Sequence, residues 1–414
     1  MALHVFFCFA FAYLLSYLLR TGNAVMAPFL RADLGLSDSD LGLLSSAYYF
    51  AFACMQLPLG IWLDKYGPRR LVACLMLVAA AGSAVFAMSE TLFGLWIGRA
   101  LIGMGVSACL MAAFKGFRLW YPAAMQSRLA ALMSVAGAVG ALLATIPINF
   151  LIGQLGWRGV FWVISALVLL AALLVWIVLK APEAANPPPE KPVQAQAARS
   201  TSSDGGYRQI LRHPYFRRMI LLALIPLGIY PALQTLWAAP WLITVVGLSI
   251  DQTANVLFMF NFCLMAVHLG LSWIGPKLKM RSDQKGWTVH RVVWMGLAFG
   301  IAMQALSVVF TQSWAWIFWV LLSGCLAISI LIQVNIGMSF PASHVGRANS
   351  AFNFLIFTGS FMMQWGIGLM SDGFQAWGLS PADGLRAALA SCVVLQLIVL
   401  ALYLHSKAEP GIRE

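Results

Sequence analysis

The sequence predicts an all-α membrane protein with twelve transmembrane helices, arranged as two six-helix bundles. Three observations lead to this prediction: charged residues are few, apolar residues occur in long uncharged blocks, and a repeat divides the chain into halves. Of the 414 residues, 61% are hydrophobic and 10% are charged, whereas soluble domains carry about 25% charged residues. We therefore expect most of the chain to lie in a lipid bilayer.

The apolar blocks set the number of helices, because one transmembrane helix needs roughly 20 apolar residues. Blocks without Asp, Glu, Lys or Arg include residues 219–250 and 292–346. The start of the chain, "MALHVFF", lacks the basic region of a cleaved signal peptide. The predicted spans 1 to 12 are 5–29, 40–63, 71–89, 91–120, 127–152, 159–180, 217–246, 250–275, 291–311, 313–340, 347–371 and 382–404.

Basic residues concentrate on one side of this predicted topology. With the N-terminus inside, 20 of the 26 Lys and Arg residues fall in cytoplasmic segments. The positive-inside rule then places both termini in the cytoplasm of a cell with a bacterial-type inner membrane. The same bias explains the net charge of +12, so no nucleic-acid partner is expected.

The composition changes abruptly after Lys180, where Pro, Ala, Ser and charged residues replace the apolar ones until Tyr207. Such a segment has little to bury and is predicted to be a disordered cytoplasmic linker. The predicted organisation is an N-terminal bundle (1–180), a linker (181–215) and a C-terminal bundle (216–414).

The two bundles are related in sequence. "YPAAMQSRLAALMSVAGAVGA" (121–141) aligns with "FPASHVGRANSAFNFLIFTGS" (340–360) at an offset of 219, which also places "DKYG" (64–67) on "DQKG" (283–286). At an offset of 212, "APFLRADLGLS" (27–37) pairs with "APWLITVVGLS" (239–249). Duplicated halves are typical of transporters that alternate access to a site at the interface of the halves.

Two motifs indicate a family. "GIWLDKYGPRR" (60–70), between spans 2 and 3, reads G-x-x-x-D-x-x-G-x-x-R, and "RALIGMG" (99–105), in span 4, reads R-x-x-x-G-x-G. Both resemble signatures of the major facilitator superfamily, which implies the major facilitator fold. In that superfamily the first motif helps to latch the cytoplasmic gate, and the matching residues here are Gly60, Asp64, Gly67 and Arg70.

The resemblance extends the predicted gate to further residues. Arg99 would support span 4, and Asp64 would approach the start of span 11 near Asn349 when the cytoplasmic side is closed. Arg128, which the repeat matches with Arg347, is assigned to the same gate. The second copy of the gate motif has Lys279 in place of its first glycine, so the latch is expected to be asymmetric.

Span 1 indicates the substrate class. "YLLRTGNAVMAPFL" (17–30) resembles span 1 of the organophosphate:phosphate antiporters and related organic-anion carriers, which implies that Tyr17 and Arg20 bind an anion. Those carriers have a second arginine in span 7, but the repeat places Ala232 there, and span 7 has no charge. This departure favours a less highly charged anion, such as a carboxylate.

Arg20 belongs to a polar stripe, because Tyr13, Ser16, Tyr17 and Asn23 recur on its helix face. An intramembrane cation of this kind is a functional-site candidate, although Arg20 might instead snorkel or pin a neighbouring helix. No Asp or Glu lies in the interior of a predicted span to neutralise it, because those within or near the spans lie at span ends. A bound anion would offset the cost of burying its charge.

Other candidates have two interpretations each. Lys115 is an anion ligand or a snorkelling lysine, and His268 is a proton site or a structural hydrogen-bonding residue. The remaining candidates complete the binding pocket, form hydrogen bonds between helices or are aromatic residues at the membrane interface; they are Tyr49, Gln56, Tyr230, Gln234, Trp237 and Asn353.

These observations predict a monomeric carrier of a small organic anion, coupled to proton symport or to anion exchange. In symport, the proton would travel on the substrate or on His268. The rival interpretations are an exporter of amphipathic compounds or drugs, and a membrane sensor or scaffold. The intact gate motif argues against a sensor. The sequence has no nucleophile–base set, metal cluster or phosphate loop, so no enzymatic activity, cofactor or metal is expected.

Overall fold

The computed structural model describes residues 3–179, 206–285, 289–326, 332, 336, 340 and 345–405, which form helices joined by short turns. The helices of the N-terminal half are α1 (Leu3–Thr21), α2 (Asn23–Leu34), α3 (Asp38–Met88), α4 (Leu92–Val106), α5 (Cys109–Trp120), α6 (Gln126–Leu143) and α7 (Ile146–Val178). Those of the C-terminal half are α8 (Gly206–Arg212), α9 (Pro214–Leu224), α10 (Pro226–Ala232), α11 (Ala238–Thr244), α12 (Ile250–Lys285), α13 (Val289–Val309), α14 (Trp316–Leu326), α15 (Val345–Ala376) and α16 (Pro381–His405).

The predicted spans correspond to these helices with some merging and splitting. α3 covers spans 2 and 3, and Gly67, with φ of 74°, breaks its helical path in the loop between them. Within the described residues, eight helices are long and apolar enough to cross a membrane, and shorter apolar helices accompany them. Span 7 is divided into α9, α10 and α11 by Pro226 and by a π-helical segment, Leu233–Trp237.

The structure differs from the predicted linker at the C-terminal end of that segment. Residues 206–212 form α8, and α9 begins at Pro214, so helical structure starts before the predicted boundary at 216. The rest of the predicted linker, residues 181–205, lies outside the described residues.

The internal repeat is visible in the packing of the helices. A Cβ added at Gly140 of α6 would lie 2.1 Å from the carbonyl oxygen of Leu14 in α1. A Cβ added at Gly359 of α15 would lie 2.1 Å from the carbonyl oxygen of Leu224 in α9. The two glycines are related by the 219-residue offset, and each allows two membrane helices to approach closely. The two halves therefore pack corresponding helices in the same way.

The halves meet mainly where α3 lies against α15. Gly42 of α3 packs against the backbone of Gln364, and the hydroxyl groups of Tyr49 and Thr235 lie 3.0 Å apart across the same interface. These contacts place the last turns of α1 close to both halves, and α1 carries Arg20.

Candidate functional site

Arg20 lies at the C-terminal end of α1 and is half-buried. Its Nε atom donates a hydrogen bond of 3.2 Å to the hydroxyl oxygen of Tyr48 in α3, which is its one hydrogen-bond partner among the described residues. The described residues form three ion pairs, and Arg20 takes part in none of them. The two outer nitrogens of the guanidinium group therefore have no hydrogen-bond partner among the described residues.

Aromatic rings surround the guanidinium group. Its central carbon lies 4.8 Å from the ring centroid of Tyr17, 5.0 Å from that of Phe52 and 5.6 Å from that of Phe357. Phe357 belongs to α15, and its ring centroid is 4.4 Å from that of Phe52. The C-terminal half thus contributes a ring to the site. Cation–π attraction to these rings offsets part of the cost of burying the charge.

The polar stripe of α1 is only partly directed to the site. Tyr13, Ser16 and Asn23 are buried. The ring of Tyr13 packs edge-on against Tyr17 at 5.1 Å, and Asn23 donates a hydrogen bond to Ser45 of α3. Most of the stripe therefore packs inside the N-terminal half, and Tyr17 and Arg20 are its more accessible members.

The predicted pocket residues of the C-terminal half form hydrogen bonds with the protein. Gln234 donates to Asn261 at 2.9 Å, and the indole nitrogen of Trp237 donates to the carbonyl oxygen of Gln364 at 3.0 Å. Tyr230 is buried in α10. Trp237 ends the π-helical segment, a feature that often marks functional sites.

The remaining candidates are spread over several helices. Tyr49 packs edge-on against Tyr48 at 5.4 Å, which places it next to the Arg20 site. Gln56 donates to the carbonyl oxygen of Phe52, one turn earlier on its own helix. Asn353 and His268 are half-buried, on α15 and α12 respectively.

The structure places Lys115 at the predicted gate and not beside Arg20. Its ammonium group donates to the carboxylate of Asp64 at 2.6 Å and to the carbonyl oxygen of Leu63 at 2.9 Å. Lys115 lies close to the end of α5, so its long side chain reaches the end of the bundle. The Asp64 side chain is 83% exposed and pairs within its own half.

The other predicted gate residues are Arg70 and Arg128, which are exposed, Asn349, which is half-buried, and Gly60 and Gly67 beside Asp64. Arg99, by contrast, is buried deep in the N-terminal half, where its Nη1 atom donates to the carbonyl oxygen of Leu19 at 3.0 Å. Its hydrogen bond is thus to the backbone of Leu19, the residue before Arg20.

A polar cluster at the opposite end of the bundle was not predicted from the sequence. Asp372 of α15 accepts hydrogen bonds from the backbone N–H groups of Asp38 and Ser39, at 3.2 and 2.9 Å. These are the first residues of α3, and their N–H groups have no partner within a helix. The carboxylate also lies at the positive end of the helix dipole.

Asp38 completes this cluster from the other side. It is buried, it pairs with Arg31 of α2, and its carboxylate accepts hydrogen bonds from Ser371 at 2.6 Å and from Gln375 at 3.0 Å. We call Arg31, Asp38, Ser371, Asp372 and Gln375 the Asp38–Asp372 latch. Its signal in the sequence is weak, because each of these residues alone is common at a helix end.

Asp33 lies near the latch, beyond the end of the first membrane-spanning helix. Hydrogen bonds from Arg158 and from the indole nitrogen of Trp157 hold the pKa of its carboxyl group below the usual range. These hydrogen bonds stabilise the N-terminal half at neutral pH. Their contribution to stability is lost as the pH falls through the lowered pKa.

Comparison with known proteins identifies the class of the chain. The family model of the Major Facilitator Superfamily matches residues 9–364. A bacterial homologue of the human lysosomal transporter Spinster, in an inward-facing and unoccupied conformation, superposes with a TM-score of 0.78 at 18% identity, over 97% of this chain and 96% of that one.

Two relatives are named as carriers of organic acids. A probable sulfoacetate transporter of Cupriavidus necator is 28% identical over 155 residues, which cover 37% of this chain and 36% of the relative. A hexuronate transporter of Bacillus subtilis is 22% identical over 392 residues, which cover 86% of this chain and 90% of the relative. The first match thus extends over little more than a third of that relative's length.

The chain belongs to the Major Facilitator Superfamily. The predicted all-α major facilitator fold is confirmed, and the relatives named above are transporters.

Proposed function

We propose that the protein carries a small organic anion, with a carboxylate as its charged group, across the cytoplasmic membrane. The observation that carries this proposal is the environment of Arg20. Among the described residues, this guanidinium group donates a hydrogen bond to the Tyr48 hydroxyl group and has four aromatic rings as neighbours, and it pairs with no carboxylate. A ligand carboxylate would fit its free outer edge with two parallel hydrogen bonds.

The relatives support an anionic substrate. The two described above are named for sulfoacetate and for hexuronates, which are acids with ionised groups at neutral pH. Within this chain, the single arginine of span 1 and the uncharged span 7 favour one strong anion contact over a two-arginine clamp. We therefore favour a monocarboxylate over a phosphate ester.

The two ends of the α3–α15 interface support alternating access. The Asp38–Asp372 latch joins the halves at one end, while Asp64, at the other end, is exposed and bonded within its own half. With the predicted orientation, the carrier is closed toward the outside and accessible from the cytoplasm. Coupling is by proton symport or by anion exchange. Measuring counterflow with and without a proton gradient distinguishes the two.

A thermal-shift experiment on purified protein tests the anion site. Galacturonate and galactose form a matched pair, because they differ at the carboxylate. A ligand present at 100 times its Kd stabilises the native state by about 2.7 kcal/mol. We expect galacturonate, but not galactose, to raise the melting temperature, and we expect Arg20→Gln to lose the response. An equal response of the wild type and of Arg20→Gln would contradict the proposal.

Export of amphipathic compounds is the second candidate, and the ring cluster around Arg20 favours it. In that case the rings of Phe52 and Phe357 would form the binding surface, and Arg20 would be structural. Neutral amphipathic compounds would then stabilise the wild type and Arg20→Gln equally in the same experiment.

A further inference from the structure

Tyr48 of α3 lies between two guanidinium groups. Its hydroxyl oxygen accepts the Nε–H of Arg20, and the central carbon of the Arg99 guanidinium lies 5.5 Å from its ring centroid. Tyr48 is 1% exposed, so water competes little for these contacts. We propose that Tyr48 is the positioning residue of the anion site and that Arg99 acts on Arg20 through it. This inference rests on the proposed function of Arg20.

The second sequence motif explains how Tyr48 is placed. Gly103 of α4 lies against the backbone of Tyr48, and a Cβ added there would lie 2.2 Å from the Tyr48 carbonyl oxygen. A larger residue would push α4 away from α3. Arg99 stands one turn before Gly103 on α4, so the close approach of the helices also brings its guanidinium group over the ring.

Arg99 makes a second contact, which is to the backbone next to Arg20. Its Nη1 atom donates to the carbonyl oxygen of Leu19, the residue before Arg20. One buried side chain therefore fixes the backbone next to Arg20 and the ring that holds the Arg20 side chain. Gly103 and Arg99 of the R-x-x-x-G-x-G motif thus act on the anion site indirectly, through Tyr48 and the backbone of Leu19.

The contact at Nε determines how Arg20 presents itself to a ligand. The guanidinium group is planar, so a hydrogen bond at Nε fixes the direction of its two outer nitrogens. Without that bond the long side chain would have to be ordered when the anion binds, which weakens binding. Phe52, stacked on Tyr48 with 5.8 Å between the ring centroids, also packs against the ring.

Tyr48→Phe tests this role, because it keeps the ring and removes only the acceptor oxygen. Tyr403→Phe is the matched control: Tyr403 is also buried, with the guanidinium of Arg218 4.3 Å from its ring centroid, but it lies on α16. We expect Tyr48→Phe to raise the galacturonate Kd by about tenfold and to leave the maximal transport rate unchanged. Tyr403→Phe should leave both unchanged.

A double-mutant cycle tests whether Arg99 acts through Tyr48. Arg99→Lys should weaken galacturonate binding in the wild-type background, and its effect should fall to less than about half of that in the Tyr48→Phe background, because coupled residues are not additive. Additive effects of the two substitutions would contradict the indirect role of Arg99.

A measurement without ligand separates this inference from the proposed function. In protein labelled with ¹⁵N-arginine, we expect the Arg20 Nε–H resonance to be protected from exchange, and to lose that protection in Tyr48→Phe but not in Tyr403→Phe. Unchanged protection in Tyr48→Phe would overturn the positioning role, whether or not galacturonate binds. If Arg20→Gln abolishes galacturonate binding while Tyr48→Phe leaves it unchanged, the anion site stands and the positioning role fails.

Discussion

Arg20 carries a positive charge where the surrounding protein provides rings and one phenol oxygen. Cation–π contacts reduce the cost of burial. Within the described part of the chain, the outer edge of the guanidinium group has no hydrogen-bond acceptor. An anion supplies hydrogen-bond acceptors to this edge, and its negative charge also balances the charge of Arg20. The site is therefore best suited to a ligand with a planar anionic group and one negative charge.

Lys115 provides a contrast at the same scale, because its ammonium group already has Asp64 as its counter-ion. We expect Lys115→Gln to change the galacturonate Kd by less than about twofold, since the ion pair with Asp64 is largely exposed. Isothermal titration of purified wild type and variant measures this. A loss of tenfold or more would show that Lys115 reaches the ligand.

The sequence identifies Arg20 and Tyr17 as site candidates, but not the other rings around the Arg20 guanidinium group. A guanidinium group inside an apolar run is visible in the sequence, and its chemistry implies an anion. Tyr48, Phe52 and Phe357, however, are aromatic residues in long apolar helices, where an aromatic residue facing the site cannot be distinguished from one facing lipid. Only the packing of α3 and α15 against α1 shows which rings surround the cation.

At the scale of the elements, α3 and α15 form the contact that has to open during transport. Asp372 accepts from two backbone N–H groups at the start of α3, so its carboxylate stabilises the closed end through hydrogen bonds and through the helix dipole. A charge in such a position is worth up to about 2 kcal/mol when it is partly buried. The loss of this carboxylate is therefore expected to weaken the closed end measurably.

Asp372→Asn should shift the carrier toward the conformation that is open at this end. A loss of about 1–2 kcal/mol changes the ratio of the two conformations by roughly 5- to 30-fold. Spin labels at Glu90 and Gln312, exposed residues of the two halves, report the separation in a cysteine-free background. We expect longer distances in Asp372→Asn. The control is Asp383→Asn, because the hydrogen bonds of Asp383 within the described residues are to nearby Ser380. Equal distances in wild type and Asp372→Asn would contradict the latch.

The latch also shows why gate contacts are hard to predict. The sequence motif around Asp64 identifies one end of α3, because its residues are adjacent in the chain. The Asp38–Asp372 latch has two parts, Arg31 with Asp38 and Ser371 with Asp372 and Gln375, and more than 330 positions of the chain separate them. No local pattern joins them, so only the docking of the two halves reveals the cluster.

At the scale of the whole molecule, the fold was predictable because it follows from length, hydropathy and a repeat. The helices of both halves pack through corresponding glycines, Gly140 and Gly359, as the aligned segments implied. The interface between the halves was not predictable, since the repeat specifies each half and leaves their mutual contacts open. The proposed anion site at Arg20 lies at that interface, because Phe357 of the C-terminal half contributes a ring to it.

The orientation in the membrane remains a prediction from the distribution of basic residues. A cysteine introduced at Ser202, in the predicted cytoplasmic linker and outside the described residues, should resist a membrane-impermeant thiol reagent in intact cells. It should react after the cells are made permeable. Labelling of intact cells would reverse the orientation and the assignment of every loop.

The most direct test of the central claim is galacturonate uptake into proteoliposomes by wild type, Arg20→Lys and Arg20→Gln at matched protein content. Loss of one partner of a buried charge pair costs on the order of 2–5 kcal/mol, so Arg20→Gln should lose at least about 30-fold in apparent affinity. Arg20→Lys should also be impaired, because it keeps the charge but loses the two-pronged contact. We predict uptake in the order wild type, Arg20→Lys, Arg20→Gln; full uptake by Arg20→Gln would contradict the account.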